Sequence, residues 1–308
     1  MRRFRTVPGD FDSRAADMDE PIPETWDEQV RALHIENMAR RRAELVAEYG
    51  AWGAERKRAD FVAIGVKPFS VLSYHNRFFT QTRDAFVQGA YYPALLSACA
   101  LGERTLNHLI LDLRDDFAGT PEHEAVAKDR SFSNWRLMIS TLKTWQVLDD
   151  EVADLFTGLA LLRNRAVHFN PATYASARED ALAAIVRLRD IIDMQFGAFG
   201  GQRWYIPGTL GACFIKQAFE RDPFVRKFIA KSAVYVGPLH SVRMTGAGAW
   251  QFVDWPPDVY GDGVVSDEHF RDLFNDRDPA SVVPTDGPFV PAKILAPEDV
   301  AASADNPD

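Results

Sequence analysis

Apolar residues recur at helical spacing from about residue 71 to residue 199, the strongest periodic signal in the chain. That pattern predicts a bundle. A long first helix spans about 73–116, with a break at Gly89 to Pro93, since proline is accepted in a first turn but not in a helix interior. A shorter helix is predicted over 132–148. Asp149 and Asp150 then start a helix that runs to about Phe169, where Pro171 forces an end. The last helix, about 174–196, carries Leu182, Ile185, Val186, Leu188, Ile191 and Ile192 as its apolar stripe.

The flanks are patterned differently. Residues 1–23 are charged, broken by proline and glycine and without period, which predicts a flexible arm. Residues 24–70 are helical in composition, and Thr25-Trp26-Asp27-Glu28 fits an N-cap followed by acids. Beyond Gly201, residues 209–230 are expected to form one more helix. Residues 233–244 and 250–255 carry the β-branched and aromatic residues of a small hairpin. The fold expected is mainly α, an antiparallel helical bundle over 71–200. It has an N-terminal helical segment before it, a small basic α/β extension over 201–260, and an acidic tail over 261–308 whose last 30 residues are expected to be disordered.

Composition narrows the function classes. The 308 residues are 46% hydrophobic and 26% charged, with only Cys99 and Cys213, so neither a disulfide framework nor a zinc knuckle is supported. No apolar leader or membrane-length run occurs, and a reducing cytoplasm is the expected location. The net charge of −9 argues against a surface coated for duplex DNA. That charge is unevenly spread. Residues 203–243 carry about +5, interleaved with Trp204, Phe214, Phe219, Phe224, Phe228 and Tyr235, whereas residues from Asp254 onward carry about −10. The basic stretch offers Lys216, Arg226, Lys227 and Lys231 as RNA contacts, its rings available to stack bases. The competing reading makes the rings core. A tail folded over this patch would compete with RNA. No phosphate-binding glycine loop, nucleophile elbow or His-Glu-x-x-His motif is present; His123-Glu124 is followed by Lys128 where histidine is needed.

The chemistry concentrates at Leu162-Arg163-Asn164-Arg165-Ala166-Val167-His168. At about 100° per residue from Val152, Phe156, Leu159 and Ala166 define one apolar face, and Arg163 falls within it at about 20°. A guanidinium there needs a partner. Glu103 or Asp112 of the first helix could supply it, making Arg163 structural. Asn164 and His168 lie together on the flank, where His168 could cap the helix and Asn164 could serve packing. Arg163 and His168 do not share a face. Either the last turn unwinds, or a second subunit completes a site, or Arg163 belongs to the core.

Arg163-Asn164-x-x-x-His168 in the penultimate helix of such a bundle resembles the motif of the HEPN superfamily. Gly89-Ala90-Tyr91-Tyr92-Pro93, followed by Gly102-Glu103-Arg104, resembles the first core helix of that family. The likeness covers about residues 71–199. It implies a metal-independent endoribonuclease without cofactor, acting on single-stranded RNA in a toxin–antitoxin or anti-phage role. Arg163, His168 and Asn164 would be catalytic, with Glu103 supporting and Arg165 contacting RNA. It also implies a homodimer and an antitoxin or regulatory protein as partner, and no membrane. In one toxin branch a modified tyrosine lies two positions after the histidine; Asn170 stands there, so that regulation is not implied. Other members are non-catalytic modules that bind protein, nucleotide or RNA.

Overall fold

In the computed structural model the helical period becomes eleven α-helices among the described residues, which are 1–285 apart from 8, 9, 17, 169–171, 199, 245–249 and 262. The chain divides into two units, one of residues 9–195 and one of residues 1–8 with 196–308. Each is built around its own apolar core.

The first unit is the bundle. It contains α1 (Glu28–Tyr49), α2 (Ala54–Ala63), α3 (Ser73–Val87), α4 (Tyr91–Leu113), α5 (Pro121–Val126), α6 (Trp135–Thr144), α7 (Asp150–Val167), α8 (Ala172–Ala175) and most of α9 (Ala177–Phe196). The predicted first helix is two helices. Gly89 at φ +85° makes the turn between α3 and α4, and Pro93 sits in the first turn of α4, where its missing N–H is harmless. α4 is the central element, packing on α3, α6 and α7. Its buried residues include Leu95, Ala98, Leu106, Leu109, Ile110 and Leu113. The helical segment expected before the bundle is two helices, α1 and α2, and α1 buries only Leu45 and Tyr49.

A buried carboxylate ties three of these helices. Asp60 of α2, 1% exposed, accepts from Arg56 at 2.8 Å, from the Tyr91 hydroxyl of α4 at 2.8 Å and from two nitrogens of Arg178 in α9 at 2.8 and 3.0 Å. With this many donors the charge is satisfied without water.

The second unit holds two small antiparallel sheets. β1 (Arg3–Thr6) pairs with β2 (Ala233–Val236), and β3 (Ser241–Met244) forms the expected hairpin with β4 (Trp250–Val253). Two further helices, α10 (Pro257–Tyr260) and α11 (Asp267–Asn275), follow. Ile206, Phe214, Val234, Val236, Phe252, Phe270 and Phe274 form its core.

Four expectations are corrected here. Residues 1–23 are not a free arm: Phe4 lies against Tyr235 in the sheet, and Ala15 and Met18 are buried in the bundle unit. Residues 209–230 are not one helix, because Pro223 lacks the N–H a helix interior needs; short helical turns at 217–219, 225–229 and 230–232 form instead. Of the last 30 residues, Val283 is not disordered but buried, its N–H donating to the Leu239 carbonyl; α11, whose Phe270 and Phe274 are core, lies ahead of them. The tail's remaining residues, 286–308, lie outside the described residues. Finally, α7 ends at Val167 rather than near Phe169.

Candidate functional site

The bundle brings α4 and α7 unusually close at one point. Gly102 permits it: a Cβ there would sit 2.5 Å from Cδ2 of Leu159 and 3.0 Å from the ring of Trp135. One residue further along α4 and four along α7, Glu103 faces Arg163, Nη2 to Oε2 at 3.4 Å. The same Glu103 oxygen accepts from the Trp135 indole N–H at 2.8 Å. Glu103 is therefore held from two sides. The helical wheel places Arg163 in the apolar stripe, yet its side chain is 28% exposed because the stripe overhangs an open cavity of about 530 Å³. Arg104, Arg130 and Ser131 line that cavity too, and all three are exposed. Arg104 also lies over the Phe78 ring at 5.3 Å, and Phe78 is 40% exposed. Three guanidiniums around one open cavity suit a polyanion more than a neutral ligand. Cys99 lines it as well, but burial pushes its thiol up to about 12, so it offers no thiolate there.

The end of α7 is anchored twice. The Tyr92 hydroxyl donates to the Ala166 carbonyl at 3.3 Å, and Arg165 pairs with buried Asp180, which also accepts from the Ser176 hydroxyl at 2.9 Å. Beyond this clamp the chain leaves the helix. His168 has extended backbone, φ −86° and ψ 139°, with its N–H still donating to the Asn164 carbonyl at 3.2 Å. Both side chains are exposed. The motif is thus split between two settings. Arg163 and Glu103 meet in the cavity, whereas Asn164 and His168 stand at the solvent-facing helix end, and no hydrogen bond or ion pair joins His168 to Arg163. Arg165, expected as an RNA contact, is paired with Asp180 and keeps its side chain 42% exposed.

The basic stretch is organised by its rings. Trp204, Phe214, Phe224 and Phe228 are each 4% exposed or less, so base stacking by these aromatics is corrected to core packing. Phe224 and Phe228 stack on each other and both reach Phe196. Of the cations, Lys216 donates to the Arg203 carbonyl at 2.8 Å, Arg226 and Lys227 are half-buried in a helical turn, and Lys231 is exposed.

Arg104 and Arg130 went unrecognised as cavity residues in the sequence, and Trp135 as the partner of Glu103. Arg104 adjoins Glu103, which was a usable signal. Arg130 and Trp135 come from the segment before α6 and its first turn, and nothing local says that they face α4. No family model, curated protein or solved structure matches this chain.

Proposed function

We propose that the chain is a HEPN-like endoribonuclease that cleaves single-stranded RNA, acting in a toxin or anti-phage defence role. The observation that carries this reading is the cavity in which Arg163, positioned by Glu103, is joined by Arg104 and Arg130, while His168 stands exposed at the end of the same helix. The guanidiniums hold phosphate oxygens and offset the charge that grows on them. A neutral His168 imidazole takes the proton of a ribose 2′-OH. The O2′–P bond forms as the P–O5′ bond breaks, the leaving oxygen takes a proton from solvent water, and the His168 imidazolium returns its proton to the hydroxide left behind. The products are a 2′,3′-cyclic phosphate and a 5′-hydroxyl. Asn164 orients the substrate or the imidazole, and the half-exposed Phe78 ring beside Arg104 gives a base a surface to stack on.

A non-catalytic module is the second reading, and the Arg163–Glu103 ion pair is the observation that favours it, since such a pair also serves a purely structural arginine. Incubating wild-type, His168→Ala and Arg163→Ala proteins with single-stranded RNA in EDTA separates the two. The nuclease reading expects cyclic-phosphate ends from wild type and loss of cleavage in both variants. Equal behaviour of all three proteins sinks it. Circular dichroism of Arg163→Ala distinguishes lost chemistry from lost fold.

A further inference from the structure

Arg2, just before β1, and Arg3 and Arg5 within it put three guanidiniums together, and among the described residues only the first two meet carboxylates. Within the unit of residues 1–8 and 196–308, Arg2 lies 3.4 Å from Asp254 and Arg3 2.9 Å from Asp267. Arg5 meets a histidine instead: its Nη1 donates to His240 Nε2 at 2.5 Å. The His240 Nδ1–H donates to the Gly237 carbonyl at 2.6 Å, which leaves Nε2 as an acceptor. Burial pushes His240 down to about 3, so the ring is neutral; it fixes Arg5 in place without cancelling its charge.

A second guanidinium faces the first. Burial, and then the charge of Arg277, lower Arg5 to about 10, and burial lowers Arg277 as well. Among the described residues neither takes part in an ion pair. Arg277 rests over the Phe274 ring at 3.9 Å and donates to the Phe274 carbonyl. Beside them the Ser241 hydroxyl is buried without a hydrogen-bond partner. All three residues line one open cavity of about 680 Å³, and among the described residues no carboxylate lines it. Its amide is committed elsewhere: Asn275 accepts from the Leu210 N–H and donates to the Gly208 carbonyl, both at 2.9 Å. Two half-buried like charges and an orphaned hydroxyl facing a common space are unfavourable unless an anion occupies it.

We propose that this cavity is a binding site for the phosphate group of a small organic phosphate. Two guanidiniums and a hydroxyl converge from separate elements, β1, β3 and the segment after α11. That arrangement suits a tetrahedral anion with several acceptor oxygens, where a carboxylate would be satisfied by one guanidinium fork. The size fits a small molecule, and Leu210, Val242 and Pro279 give its organic part an apolar wall. The site is separate from the nuclease reading and does not depend on it.

Full-length protein would be titrated calorimetrically, and its thermal unfolding followed, with inorganic phosphate, adenosine 5′-monophosphate, acetate, and chloride at matched ionic strength. Saturable binding of the phosphate probes, a raised Tm and a weaker response to acetate are expected. Arg277→Gln and Ser241→Ala should each weaken phosphate binding by about tenfold or more. Ser241→Ala removes one oxygen from a site that already lacks a bond, so its fold is secure and it remains informative if Arg277→Gln unfolds. No saturable binding of either phosphate probe would overturn the proposal. So would a response matched by chloride, acetate binding as tight as phosphate, or undiminished affinity in a folded variant.

Discussion

Replacing Gly102 by alanine tests whether the close approach of α4 and α7 is what builds the cavity. In a helix interior the change should stabilise by about 1 kcal/mol through propensity alone. The new Cβ would lie 2.5 Å from Leu159 Cδ2, however, and Leu159 is fully buried. Overpacking of this kind costs about 1–3 kcal/mol, so the single variant should be neutral to about 2 kcal/mol less stable. Leu159→Ala alone should cost about 3 kcal/mol by leaving a cavity. In the double variant the clash is gone, the propensity gain is kept and the added methyl fills part of the void. Urea denaturation of the four proteins should therefore give a favourable coupling of about 2 kcal/mol. Additive effects would refute the packing account. On the nuclease reading, Gly102→Ala should also reduce RNA cleavage, because Glu103 and Arg163 lie just beyond the contact that has been forced apart.

Glu220 gives a pH signature. One of its carboxylate oxygens is buried without a partner, and burial raises the group from 4.5 to about 7. The native state thus binds more protons than the unfolded chain between those values, so this group's contribution makes stability fall as pH rises across that window and level off above it. Glu220→Gln should match wild type below about pH 4.5 and be more stable at pH 8 by at most about 3 kcal/mol; equal Tm values at pH 8 would count against it. Asp60→Asn leaves Arg56, Arg178 and Tyr91 around a neutral group. Because both guanidiniums are more than a third exposed, the loss should be about 2–3 kcal/mol rather than the full value of a buried pair, read as a lower denaturation midpoint.

Local period made the bundle legible, because α4, α7 and α9 each carry a full apolar stripe that only a helix can bury on one side. The candidate site was legible in part for the same reason. A wheel puts Arg163 on a stripe and so demands a carboxylate, and Glu103 was one of two that the first helix offers. What the wheel does not contain is the outlet: Arg163 is partly solvated because α4, α7 and the segment before α6 leave a cavity at its level. The other unit was misread because its contacts are remote. β1 is four residues long and pairs with a strand more than two hundred residues away, so Arg3-Phe4-Arg5 looks unstructured until Asp267 and Tyr235 are placed beside it. The aromatic stretch was ambiguous because a ring that stacks on a base and a ring that stacks on Phe228 need the same residue type.

The separation of Arg163 from His168 makes the nuclease reading testable at the level of assembly. α7 holds Arg163 in the cavity, Tyr92 and Arg165 clamp the last turn, and His168 departs in extended backbone, so one chain does not join the two side chains. In a symmetric dimer, Arg163 of one copy and His168 of the other can form each site. Mixing inactive His168→Ala with inactive Arg163→Ala protein then restores one intact site in every mixed dimer. With random pairing about half the dimers are mixed, so the mixture should recover about a quarter of wild-type cleavage. A site made within one chain predicts no recovery, since every copy lacks one of the two groups. Recovery that scales with the fraction of mixed dimers would identify the second subunit as the source of the missing histidine. Zero recovery alongside an active wild type would return the catalytic pair to a single chain and require the end of α7 to rearrange on binding RNA.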